Sequence, residues 1–300
     1  MTILLCEDLG LPGSGLDLDA VEGWIATQAI GAPVLRVAGP CERPARWLDQ
    51  GVRNARGLVL GVCALNSDRH ELDAQARTLG LDPFGIEVVA LRGHPPRGHP
   101  PSVGTERARL LLAAAAAKVQ VYQGSRPESA KPILRWGPDV SRRALFTLPP
   151  MRYEAIPSIR EAACAAGEGC RVCAKTCPHG ALAALTDGRM VLSPAPCTGC
   201  GACVPACPRT AIDFPGSSLA QLEAQVAALL GPAPGALDAR GVLFVCPRSA
   251  QDLDELGRRG HSYPPGWFPV AIPCMGMLTP AWVLQCLDQG AAAVGLLPCP

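Results

Sequence analysis

A cysteine repeat with a thirty-residue offset constrains this chain more than any other feature. Cys170, Cys173, Cys177, Pro178, Ala181 and Leu182 return as Cys200, Cys203, Cys207, Pro208, Ala211 and Ile212. The second copy is complete: Cys197-x2-Cys200-x2-Cys203-x3-Cys207-Pro208. That spacing wraps three thiolates around one [4Fe–4S] cube and sends the fourth to a neighbouring cube. The x2 gaps need a curled backbone whose N–H groups face the sulfides, and Gly199, Gly201 and Ala202 supply small residues for it. In the first copy Gly167 stands where the leading cysteine belongs, and Cys164 lies three residues earlier. A longer loop over residues 165–169, two of them glycine, is expected to bring Cys164 round. The expected ligand sets are therefore crossed: Cys164, Cys170, Cys173 and Cys207 for one cluster, Cys177, Cys197, Cys200 and Cys203 for the other. Zinc also accepts Cys-x2-Cys pairs. It has no need of a third close cysteine or of the Cys-Pro terminus, and both occur twice here, which favours iron.

The remaining composition narrows the function. Lys and Arg number 27 against 26 Asp and Glu, a net charge of +1. A nucleic-acid or anionic-membrane surface needs concentrated positive charge, so neither is expected as a partner. Aromatic residues at 4% leave little for a base-stacking platform. The longest apolar run, residues 110–117, ends at Lys118 and is far too short to span a bilayer. Residues 1–7 lack a basic leader, so the clustered thiols read as metal or redox groups of a cytoplasmic chain rather than exported disulfides.

Short apolar runs alternate with helical periodicity on both sides of the cysteine block. Strands are expected at 3–5, 34–37, 57–62 and 86–91, and helices at 19–30, 43–54, 70–79 and 105–122. This rhythm implies a parallel sheet covered by helices. The twice-written Arg-Gly-His-Pro-Pro of residues 92–101 reads as an exposed polyproline loop. The expected organisation is an N-terminal αβ domain (1–123), a Pro-rich linker (124–157), a two-cluster domain (158–216), a helix and linker (217–236) capped by Ser217 or Ser218, and a C-terminal αβ domain (237–300). In that last domain strands are expected at 241–245, 268–272 and 293–297, with helices at 250–258 and 279–289. The sequence stops directly after its final strand, which reads as a truncated domain. The fold class is thus multidomain α/β and α+β.

The block at 155–215 resembles the bacterial two-cluster ferredoxins, which implies paired [4Fe–4S] centres in a small α+β fold and one-electron transfer. The C-terminal segments Gly241 to Cys246, Tyr263-Pro264-Pro265 and Ile272-Pro273-Cys274-Met275-Gly276, with the strand ending Leu297-Pro298-Cys299, are similar to the delta subunit of methyl-viologen-reducing hydrogenase. That resemblance implies a [2Fe–2S] centre and electron passage between hydrogenase and heterodisulfide reductase. Cys246, Cys274 and Cys299 match family cysteines, while Ser249 stands where another is expected. The alternative is that these are thiols packed at strand ends as small hydrophobes. Cys286, on a helix face, reads as core. Leu60-Gly61-Val62-Cys63, His70-Glu71 and Gly80-Leu81-Asp82-Pro83-Phe84 are similar to the start of heterodisulfide reductase A. Cys6, Cys41 and Cys63 match cysteines there, and Asp8 replaces one. The G-x-G-x-x-G flavin fingerprint of that full-length polypeptide does not occur.

The expectation is an iron–sulfur electron-transfer subunit of a hydrogenase- or heterodisulfide-reductase-like complex. It would work between a redox donor and acceptor, with catalysis on partner subunits. Two alternatives stand beside it. One is a disulfide or sulfur-compound reductase whose terminal-domain cysteines are fed by the clusters. The other is a redox sensor or scaffold that the clusters hold together.

Overall fold

The structure is a computed structural model describing residues 1–11, 15–27, 31–38, 52, 55–63, 69–91, 100–124, 130–133, 152–231, 237, 239–259, 261 and 263–299. Two parallel sheets flank the cysteine block, as the alternating pattern predicts. The N-terminal sheet contains β1 (Thr2–Cys6), β2 (Val34–Val37), β3 (Leu58–Val62) and β4 (Ile86–Ala90) in the order β2-β1-β3-β4. Helices α1 (Leu18–Thr27), α2 (Arg69–Thr78) and α3 (Pro101–Gln120) accompany it. Strand β3 is buried at every residue, which explains its unbroken apolar run. The helix expected at 43–54, most of the duplicated proline loop and Cys41 lie outside the described residues.

Helix α3 begins at Pro101, four residues before the expected start. Proline at the first helical position gives up only an N–H that has no intrahelical partner, so the end of a proline run can open a helix. Within the expected linker, β5 (Ala130–Ile133) pairs antiparallel with β6 (Arg152–Ala155). In the cysteine block, β7 (Ser158–Ile159) pairs with β10 (Ile212–Asp213), and β8 (Leu182–Ala184) with β9 (Met190–Leu192). Each cysteine run thus lies between a leading and a following strand, and each following strand pairs with the other run's leader. Short helices α4 (Val172–Thr176) and α5 (Cys203–Ala206) each carry one thiol of their run, Cys173 and Cys203.

Helix α6 (Leu219–Leu230) opens at Ser218, whose hydroxyl accepts from the Gln221 N–H while the Gln221 side chain accepts from the Ser218 N–H. This reciprocal cap fixes the helix start where the sequence places it. The C-terminal sheet has the order β12-β11-β13, all parallel: β11 (Gly241–Val245), β12 (Trp267–Ala271) and β13 (Ala293–Leu297). Helices α7 (Pro247–Arg258) and α8 (Pro280–Asp288) make the crossovers. Helix α7 starts three residues earlier than expected because Cys246 is its N-cap: its thiol accepts from the Ser249 N–H at 3.5 Å. Sulfur is outside the usual set of capping groups, so the sequence hides this start.

The two αβ regions share one core. Val103, Leu110 and Ala114 of α3 join Leu222, Val226, Phe244, Phe268 and Val270 in a single buried cluster. Burying each such large apolar side chain contributes about 1.5–3 kcal/mol. At its edge Arg107 of α3 is buried and donates to the carbonyls of Pro265 (2.5 Å) and Trp267 (2.6 Å) and to the Tyr263 hydroxyl (2.8 Å). Its guanidinium also lies over the rings of Tyr263 and Phe268, at 5.2 and 4.9 Å. Burial lowers its pKa, and the tyrosine partly offsets that. The N-terminal helix is thereby clamped to the start of β12.

Candidate metal centres

Each cysteine run coils through a short helix and then extends. The Cys177 N–H closes α4 on the Cys173 carbonyl at 3.0 Å. Four residues after each run's last cysteine, a backbone N–H returns to that cysteine's sulfur: Ala181 to Cys177 Sγ at 3.3 Å, Ala211 to Cys207 Sγ at 3.2 Å. These matched bonds are the three-dimensional counterpart of the sequence repeat. Amide donors aimed at sulfur stabilise thiolate charge and tune the potential of any cluster bound there.

The eight thiols face two cavities. Cys164, Cys170, Cys173 and Cys207 line one, walled by Ile159, Met190 and Ile212. Cys177, Cys197, Cys200 and Cys203 line the other, walled by Leu182 and Leu192. Three thiols of each set come from one run and the fourth from the opposite run, as the crossed repeat predicts. Cys164 reaches its cavity through a 3-10 turn over Ala165–Glu168, which stops at Gly169 with φ +92°. That left-handed stop favours glycine, and it turns the extra residues back toward Cys170, whose N–H bonds the Ala165 carbonyl at 3.1 Å.

The donor sets fit iron–sulfur cubes chemically. Each offers four sulfurs, apolar walls and no competing carboxylate among its lining residues. Burial pushes the Cys203 thiol up to about 12, and the nearby Cys197, Cys200 and Cys177 add to the rise. Burial likewise raises Cys173, with Cys207, Cys164 and Cys170 contributing. Thiolates crowded in such surroundings require a cation, and binding one releases their protons.

The terminal cysteines gather at strand ends. Cys6 closes β1 and Cys63 follows β3; the two strands are neighbours in the sheet. Their sulfurs lie 3.4 Å apart, and Cys6 Sγ is 3.7 Å from Asp8 Oδ2. In open α/β sheets this carboxyl end is where ligands bind. The arrangement places two thiols and a carboxylate within 4.8 Å of one another.

In the C-terminal sheet, Cys246, Cys274 and Cys299 all lie just beyond the carboxyl ends of strands. Cys246 Sγ and Cys299 Sγ are 2.7 Å apart, and Ser249 Oγ is 3.3 Å from Cys246 Sγ. Burial pushes the Cys246 thiol up, but hydrogen bonds from Cys299 and Ser249 outweigh it and hold it below the ordinary thiol value. A [2Fe–2S] centre takes four ligands. Three thiols, Cys246, Cys274 and Cys299, stand here, and Ser249 Oγ lies where a fourth is expected. Cys286 is buried in the shared core, as expected of it.

The second cavity abuts the C-terminal sheet, an arrangement that sequence reading missed. Gly201 has φ +76°, and a Cβ there would lie 2.9 Å from Met277 Cβ. A Cβ on Gly276 would lie 2.4 Å from the Cys200 carbonyl and 3.8 Å from Cys274 Sγ. Only paired glycines permit this approach.

Fold and thiol geometry together define a multidomain α/β protein built around a four-cysteine repeat. Residues 190–213 match the family model described as 4Fe-4S binding domain, which supports binding of a [4Fe–4S] cluster. Residues 242–300 match that of methyl-viologen-reducing hydrogenase, delta subunit. No curated protein matches the chain. Among the described residues no helix is long and apolar enough to cross a membrane.

Proposed function

We propose that this chain relays single electrons through two [4Fe–4S] clusters as a subunit of a hydrogenase- or heterodisulfide-reductase-like complex. The observation that carries the reading is the pair of cavities, each lined by three cysteines of one run and the fourth of the other. Clusters held in this way supply one-electron transfer. The chain's own residues supply apolar walls against water, amide donors to Cys177 and Cys207, and a close approach of the second cavity to the C-terminal domain. The similarity of residues 242–300 to a hydrogenase delta subunit supports membership of a complex. Bond-making chemistry then belongs to partner subunits. The resemblance of residues 1–123 to heterodisulfide reductase A rests on the motifs around Cys63 and Gly80. It favours a partner surface on that side. The clustering of cysteines at metal-ligand spacing suits a reducing cytoplasm.

Protein-film voltammetry on the anaerobic chain tests this against the sensor or scaffold reading. A relay gives reversible one-electron waves that persist over repeated cycles. Irreversible loss of signal on the first sweep would instead fit clusters that only hold the fold together.

A further inference from the structure

The C-terminal thiols are arranged for different chemistry from the central eight. Strands β11 and β13 are in register to their ends, Val245 opposite Leu297, so Cys246 faces Pro298 and Cys299 lies one residue further on. A strand spacing of about 4.8 Å and a rise of about 3.3 Å put the two Cα atoms about 5.8 Å apart. That spacing lies within the Cα separation a disulfide accepts, about 4.4–6.8 Å. Cys246 is buried at the N-cap of α7, and Cys299 is exposed. One sulfur is therefore held by the fold and the other is open to solvent. Cys274 lies beside this pair, next to Gly276, which packs on the carbonyl of Cys200.

We propose that Cys246 and Cys299 form a reversible dithiol–disulfide couple, and that the Cys200–Gly276 contact is the route by which it exchanges electrons with the central relay. In oxidation the two thiols release two protons, the two sulfurs join, and two electrons leave. Clusters held by the two cysteine sets would take one electron each. In reduction the sulfur–sulfur bond would break, with two electrons supplied by the same clusters and two protons from water restoring the thiols. Cys299, at the surface, exchanges the protons with water. The couple itself follows from the Cys246–Cys299 geometry; only its electron source rests on the relay reading.

Mass spectrometry of the alkylated, digested full chain tests the couple. After equilibration in oxidised dithiothreitol, a peptide linked through Cys246 and Cys299 is expected, and it should vanish in reduced dithiothreitol. Cys299→Ser and Cys246→Ser should each abolish the link without changing iron content; serine can still cap α7 in the second variant. Absence of the linked peptide, or iron lost on Cys246→Ser, would overturn the couple. For the route, reduced methyl viologen is added to the oxidised, iron-loaded chain and alkylation at Cys246 and Cys299 is followed with time. Opening should be at least tenfold slower in Cys203→Ser and in Gly276→Val, which keeps every thiol but drives a side chain against the Cys200 carbonyl. Equal rates would overturn the route. A linked peptide in a wild-type chain that binds no iron would likewise overturn the route and the relay reading, while the couple would stand.

Discussion

Replacing Cys203 by serine is expected to halve the iron of the anaerobically purified chain, from about eight atoms to about four. Cys203 is 7% exposed and lies within the second set, with Cys177, Cys197 and Cys200 around it. Serine keeps the shape of α5 but offers a harder, far less acidic ligand in a site whose walls favour sulfur. The first cavity draws none of its four thiols from this position, so its cluster should remain. Elemental analysis with acid-labile sulfide checks the result. Retention of eight irons would mean that this thiol is not a ligand. Loss of all iron would mean that the two sets do not bind independently.

The second large effect is expected at Arg107, far from any cysteine run. Arg107→Met keeps an apolar stem in the core but strips donors from the carbonyls of Pro265 and Trp267 and from the Tyr263 hydroxyl. Each part-buried polar group that loses its partner costs about 1 kcal/mol, so a loss of about 3 kcal/mol is expected. In a chain of this size that corresponds to a fall in Tm on the order of 6–12 °C. Arg107→Lys keeps the charge but not the planar fork, and should fall between the two. An unchanged melting curve for Arg107→Met would show that α3 is held to β12 by the apolar core alone.

The crossed thiol sets were legible because ligand spacing is a local, rigid code: in the second run three cysteines within seven residues can only curl round one centre, and the thirty-residue repeat carries that pattern to the first run. Strands β11 and β13 were legible to the residue, since both carry unbroken apolar runs, although only β11 is largely buried and β13 lies half-exposed at the sheet edge. What escaped depends on neighbours distant in sequence. The approach of Cys246 to Cys299 spans 53 residues and exists only because β13 lies beside β11. The same holds for Cys6 and Cys63, brought together by β1 and β3. The pairing of β5 with β6 was hidden by Pro132 and by a polar stretch read as linker. The sharing of a core between α3 and α6 left no mark on either helix alone, because each has an apolar face that many partners could cover.

The most direct test of the account is the count of iron and acid-labile sulfide per chain after strictly anaerobic purification, with electron paramagnetic resonance of the reduced form. The account predicts about eight of each and a spin-coupled signal from two neighbouring reduced cubes. Zinc in place of iron, or a chain carrying neither metal nor sulfide, would contradict it.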